Sequence, residues 1–225
     1  INRKNPDSRY FEINRIYLPK ELPLKEQPQE VPSLCIGLYG KEETFFTLKG
    51  MVEEVFALFN CKADFEKSNE PYYHPGRQAT ASYNGNVIAR LGEIHPATAR
   101  EMDIDQKVYV AEIDMSMLYN IPMEQIIYKP ISQFPAITRD IALVCNRSLP
   151  VATLEKAILS VNNKLIQSVN LFDVYEGNQI EADKKSVAYS IVLQSDSKTL
   201  TDEDCNSVMK KIFKALEQVG AVLRS

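Results

Sequence analysis

The chain has 225 residues, 44% of them hydrophobic, and carries 26 Lys and Arg against 30 Asp and Glu for a formal net charge of −4. That length fits one large or two modest domains, and the apolar share is enough for a globular core. No run approaches the ~18 apolar residues of a membrane span, and a strongly basic nucleic-acid binder is excluded. Residues 1–132 hold 15 basic and 19 acidic side chains, and residues 133–225 hold 11 of each. Any RNA contact must therefore run through local patches. The opening Ile1-Asn2-Arg3-Lys4 has no initiator Met and no signal segment, so the expectation is a piece of a longer polypeptide. Cys35, Cys61, Cys145 and Cys205 are scattered and form no C-x-x-C pair, as expected of reduced thiols in a cytoplasmic protein. His74 and His95 are the only histidines and neither has a second ligand nearby in sequence, so no metal is expected.

Residues 9–18 partly alternate and are rich in strand formers, which predicts a half-buried strand. Residues 19–32 hold four prolines among charges and read as a solvated loop. A second strand follows over 33–39, with Leu34, Ile36 and Leu38 alternating. The period then changes: Leu48, Met51, Val52, Val55, Leu58 and Phe59 predict a helix over about 48–60 with Thr47 as its N-cap. Pro75-Gly76 fits the centre of a type II turn. Residues 79–84 and 87–93 read as paired strands joined by Asn84-Gly85. Pro96 opens a short helix, and residues 107–115 alternate as another strand. This half is an α+β pattern with a mostly antiparallel sheet. Residues 119–131 read as a linker, which sets the domains at 1–131 and 132–225.

The second half predicts a strand over 137–145, a helix over 151–162, a strand over 166–175, a strand over 186–194, a helix starting after Thr201 and a last strand over 221–224. Thr201 is the N-cap, Asp204 completes a capping box, and Gly220 sits just past the helix end. The order βαββαβ is the ferredoxin-like split arrangement.

A search for chemistry finds no phosphate-binding loop, no dinucleotide fingerprint and no nucleophile–base pairing. His74 before Pro75 and His95 before Pro96 read more as turn or core residues than as general bases. Glu42-Glu43 and Glu53-Glu54 read as solvated surface. Arg139-Asp140 opens a strand either as a local ion pair or with Arg139 free for a phosphate.

Eight strings occur in order along the chain: Tyr10-Phe11-Glu12-Ile13, Phe45-Phe46-Thr47-Leu48-Lys49-Gly50, His74-Pro75-Gly76-Arg77, Gly92-Glu93-Ile94-His95-Pro96, Phe134-Pro135-Ala136, Arg139-Asp140, Leu171-Phe172-Asp173-Val174-Tyr175 and Thr199-Leu200-Thr201-Asp202-Glu203. Their order and spacing resemble the C-terminal region of the bacterial phenylalanyl-tRNA synthetase β-chain family. The resemblance implies a class II synthetase-like antiparallel module in residues 1–131 and a ferredoxin-fold anticodon-binding domain in residues 132–225. It implies a catalytic α chain as partner in an (αβ)₂ assembly, contact with tRNAPhe, ATP and Mg²⁺ held by the α chain, and no cofactor in this one. The family's editing and N-terminal RNA-binding portions would lie upstream.

Class II chemistry needs an arginine on the second-motif strand and a glycine-rich third motif ending in another arginine. Residues 9–15 are at most a degenerate form of the first, and nothing in 1–132 resembles the second. Without those clamps an adenylate has no electrostatic stabilisation, so a scaffold is expected. The tRNA-contact candidates are Arg139, Lys184, Lys185 and Lys198 for phosphates, with Phe134 and Tyr175 for stacking. His74, Arg77, Glu93 and His95 are expected either to face the α chain or to shape turns. Two other readings stay open: a free-standing RNA-binding module with Phe134, Phe172, Tyr175 and Tyr189 as a platform, and a regulatory domain binding a small amino acid.

Overall fold

The computed structural model describes residues 5–122, 128, 130–177 and 179–224. The chain divides into two compact units, residues 1–126 and 127–225. Part of the linker expected over 119–131 lies outside the described residues. Among the described residues no helix is long and apolar enough to cross a membrane.

The first unit is built on a six-stranded antiparallel sheet in the order β1-β2-β6-β5-β4-β3. Its strands are β1 (Ser8–Leu18), β2 (Gln29–Tyr39), β3 (Asp64–Lys67), β4 (Tyr73–Tyr83), β5 (Asn86–Ile94) and β6 (Val108–Asp114). Three helices accompany them: α1 (Phe45–Leu58), α2 (Pro96–Glu101) and α3 (Met115–Tyr119). Period-two alternation sends Leu34, Ile36 and Leu38 of β2 to one face, together with Leu91 of β5 and Ala111 and Ile113 of β6. Leu48, Val52 and Phe56 of α1 cover that face, and each is essentially fully buried. Full burial of such side chains stabilises by about 1.5–3 kcal/mol apiece.

Several expectations need correction. The first helix starts one turn early. Thr44, not Thr47, is its N-cap: the Thr44 hydroxyl accepts from the Thr47 N–H at 3.2 Å, and the Thr47 hydroxyl answers by accepting from the Thr44 N–H at 3.2 Å. Strand β2 starts at Gln29, inside the expected loop. It tolerates Pro32 because β6 joins β2 only from Ser33 onward, leaving the N–H side at Pro32 unpaired. Pro75-Gly76 is not a type II turn, which would place Gly76 at positive φ. The pair instead lies inside β4, where the register with β5 shifts between Tyr73 and Gln78. The Gly76 N–H donates to His74 Nδ1 at 3.0 Å there. Strand β3 and helix α3 were not anticipated. Asp114 starts α3 by accepting from the Ser116 N–H at 2.9 Å. Asn84 and Gly85 have φ of 49° and 79°, as a two-residue hairpin turn of the mirror-image type requires.

The second unit has β7 (Ile137–Asn146), α4 (Val151–Ser160), β8 (Ile166–Tyr175), β9 (Lys184–Leu193), α5 (Asp202–Gln218) and β10 (Val222–Leu223). The strand order β10-β7-β9-β8, all antiparallel, is the ferredoxin-like order, with its two inner strands β7 and β9 each flanked by an edge strand. Leu154, Ala157 and Ile158 of α4 and Cys205, Val208, Met209, Ile212 and Leu216 of α5 pack on Leu143, Val187, Tyr189 and Ile191. The capping box forms as expected, with Thr201 and Asp204 exchanging bonds at 3.2 and 3.1 Å. Lys198 and these Thr201 bonds hold the Asp204 carboxyl below the usual carboxylate range. Gly220 ends the helix at φ 80°.

Weak acids that are buried or half-buried bear on stability. Burial pushes the Tyr73 and Tyr189 hydroxyls and the Cys35 thiol above their ordinary values, with Glu112 adding to the shift at Cys35 and Tyr73. The folded chain therefore keeps protons that the unfolded chain releases, and that part of the stability is lost as pH rises past the unfolded-state values of ~8.5 for Cys and ~10 for Tyr. Urea unfolding midpoints should hold steady from neutrality to about pH 8 and fall above about pH 9. Tyr189→Phe should flatten the alkaline fall while costing about 1 kcal/mol at neutral pH, because the Tyr189 hydroxyl donates to the Val151 carbonyl at 3.1 Å.

Candidate functional site

In the first unit α1 and α3 pack on one face of the sheet, and among the described residues no helix packs on the other. Strand register aligns Glu12, Cys35, Glu112, Arg90 and Thr80 in one row across it. The next row is Tyr10, Gly37, Val110, Gly92 and Gln78. Tyr73 lies over Gly92 so closely that a Cβ there would sit 2.7 Å from the ring. Gln78 ties down the segment leading to Tyr73: its side chain accepts from Ser68 at 2.8 Å and from the Glu70 N–H at 2.6 Å.

The charge of this face decides what it can hold. Arg90 is the only cation in the first row, and it is bound to Glu70 at 3.0 Å. Among the described residues Glu112 has no counter-ion, and Glu12 accepts only from the Asn14 amide at 3.1 Å. The two arginines of β1 lie on the other face of that strand. Arg9 is held by Glu43 and Arg15 by Glu30, each at 2.7 Å. A triphosphate would meet unpaired carboxylates and no free guanidinium, so these residues do not fit a nucleotide. Among the described residues no three His, Cys, Asp or Glu gather as a metal site.

The four turn or interface candidates are fixed by local bonds. His74 accepts from Gly76, and His95 caps α2 by accepting from the Ala97 N–H at 3.2 Å. Arg77 reaches from β4 to Glu93 on β5 with two hydrogen bonds, one of them at 3.1 Å. Glu93 is buried while Arg77 is partly exposed. The Glu93 hydrogen bond raises the Arg77 pKa, and burial followed by the Glu93 charge raises that of the neighbouring Tyr109.

The six tRNA-contact candidates do not form one patch. Phe134, Arg139 and Lys198 lie at the end of the second sheet where β7 begins and α5 starts. The Phe134 carbonyl accepts from Gln194 at 2.7 Å there. Arg139 pairs with Asp202, 63 residues away, at 2.7 Å and not with the adjacent Asp140. Lys198 pairs with Asp204 at 2.7 Å. Tyr175, Lys184 and Lys185 sit at the opposite end, where β8 finishes and β9 starts. Lys184 is bound to Glu181 at 2.8 Å, which raises its pKa. The Lys185 stem is buried on the helix-bearing face opposite Cys145. Tyr175 lies beneath the Arg224 guanidinium at 5.9 Å.

The stacking platform is also corrected. Tyr189 is fully buried in the core, and Phe172 is exposed at an irregularity of edge strand β8. The other face of β9 carries Ser186, Ala188 and Ser190 instead of rings, and Ser186 and Ala188 are buried. Tyr109, Gln78 and Tyr73 were missed, although Tyr109 falls on the buried parity of its alternating strand.

The first unit is thus a six-stranded antiparallel sheet with two uncompensated carboxylates in a row across one face, and the second is a four-stranded unit of ferredoxin-like order. In comparisons with known proteins, residues 1–115 match the phenylalanyl tRNA synthetase beta chain CLM domain, and residues 132–224 match the ferredoxin-fold anticodon binding domain. The chain belongs to the phenylalanyl-tRNA synthetase β-chain family. It is 39% identical to the phenylalanine–tRNA ligase beta subunit of Clostridium tetani, over 99% of this chain and 28% of that protein. It is 37% identical to the Halalkalibacterium halodurans beta subunit and 34% identical to that of Bacillus subtilis, in each case over 100% of this chain and 29% of the relative. The chain thus spans just over a quarter of the length of these curated relatives.

Removing Arg77 would strand the buried Glu93 carboxylate. Arg77→Ala should lower the unfolding free energy by about 2 kcal/mol, below the 3–5 kcal/mol of a fully buried pair because Arg77 is partly solvated. Arg77→Lys should fall between the two. Urea denaturation at neutral pH checks the order.

Proposed function

We propose that this chain is the C-terminal, non-catalytic region of a phenylalanine–tRNA ligase β subunit. It supports a catalytic α chain in an (αβ)₂ assembly in the cytoplasm and contacts tRNAPhe during ATP-dependent aminoacylation. ATP and Mg²⁺ are held by the α chain. The observation that carries this reading is the sign of the free sheet face in the first unit, where Glu12 and Glu112 stand in the row across the strands and the one arginine is already spent on Glu70. A second feature supports a protein partner. Strand β1 lies at the sheet edge and exposes Tyr10, Phe11, Ile13 and Tyr17, with Leu58 and Tyr119 nearby on the helices. A groove of about 520 Å³ runs between β1, α1 and α3. An apolar surface of this kind on an edge strand favours burial by another chain.

Mixing the chain with the catalytic α chain should give a stable complex by size-exclusion chromatography with light scattering, with an interface of about 2,000 Å² or more. Separate elution at all concentrations would contradict the reading. The chain alone should bind tRNA only in the ~10⁻⁴–10⁻⁶ M range of non-specific contacts. Within the complex, Arg139→Ala with Lys198→Ala should weaken tRNA binding by about three- to tenfold if that end faces RNA, and Lys184→Ala should do so if the opposite end does. Unchanged affinity in both variants would remove the proposed RNA contact from these residues.

A further inference from the structure

The strings His74-Pro75-Gly76-Arg77 and Gly92-Glu93-Ile94-His95-Pro96 belong to the neighbouring strands β4 and β5 and the turn into α2, and they meet at one cleft of about 450 Å³. Arg77 and Glu93 form one wall as a hydrogen-bonded pair, and Ile94 and Pro96 continue it. Ala99 and Arg100 come from α2, and Ile104 and Lys107 come from the segment entering β6. Ile94, Ala99 and Ile104 give the cleft an apolar floor that is at least half covered. Arg100 and Lys107 stand exposed at its rim, and neither side chain has a hydrogen-bond or ion-pair partner among the described residues. Separating the pair would strand the buried Glu93 carboxylate, which favours keeping this wall intact.

We propose that this cleft is a docking point for a carboxylate-bearing, partly apolar segment of the catalytic partner chain, and this rests on the reading given above. Charge complementarity selects an acidic occupant: with Arg77 neutralised by Glu93, the two uncompensated cations at the rim outnumber Asp105, the one further carboxylate of the lining. The lining also favours protein over RNA. It contains no aromatic ring on which a base could stack, and four of its ten residues are apolar. An Asp or Glu at the rim with a neighbouring aliphatic side chain on the floor meets Arg100, Lys107 and the apolar floor.

Isothermal titration of the 225-residue chain with the catalytic α chain, at low and at high salt, tests this. The double variant Arg100→Glu/Lys107→Glu should bind the α chain at least about tenfold more weakly than the parent at low salt, and the gap should narrow at high salt. Arg100→Lys/Lys107→Arg should bind like the parent, and tRNA affinity should be the same in all three. Equal α-chain affinity of parent and charge-reversed variant overturns the inference while leaving the subunit reading intact. A charge-reversed variant that keeps the α chain but loses tRNA also overturns it, assigning the cleft to RNA. If the parent itself fails to bind the α chain, the subunit reading falls and takes the cleft's assignment with it.

Discussion

The constraint beneath the first unit is the register of β2 between β1 and β6. Leu34 opposite Ile113, Ile36 opposite Ala111 and Leu38 opposite Tyr109 place every second residue under α1. A slip of one position would send these apolar side chains to water and Cys35, Gly37 and Tyr39 into the core. Because that exchange is so costly, the composition of the free face is dictated as firmly as that of the core. Glu12, Cys35 and Glu112 are carried to one row by the same pairing that buries their neighbours. The module's fold and its unsuitability for a nucleotide thus share one cause.

The second unit obeys the same rule with a different outcome. Tyr189 and Ile191 turn inward beneath the helices, so Ala188 and Ser190 turn outward. That face has no rings on β9. The charged groups gather at the two ends of the sheet and are partly neutralised by Asp202, Asp204 and Glu181. Exposed pairs of this kind add little stability. They leave the cations able to exchange a carboxylate for a phosphate at small cost.

What could be read in advance follows from interaction range. The Thr201–Asp204 capping box, the Asn84-Gly85 hairpin, Pro96 at the head of α2 and the ferredoxin-like order all arise from contacts within a few residues or from simple periodicity. Thr44 was missed because Thr44 and Thr47 both suit a cap and only the backbone decides between them. Pro75-Gly76 misled because a turn dipeptide can equally sit at a register shift, where His74 supplies the compensating hydrogen bond. The candidate site was less legible. Arg139 spans 63 residues to reach Asp202, and Arg77 needs the β4–β5 pairing to find Glu93. Arg100 and Lys107 gave no signal at all, since surface cations acquire meaning only from the cleft they border.

In this account one polypeptide supplies shape and grip while another performs the chemistry. The most direct measurement is phenylalanine-dependent ATP–pyrophosphate exchange by the purified chain, alone and after addition of the catalytic α chain. No exchange by the chain alone, with activity only when the α chain is present, is the expected result. Exchange by the chain alone, free of contaminating host enzyme, would mean that the acidic sheet face does accommodate a nucleotide, and would contradict the account at its root.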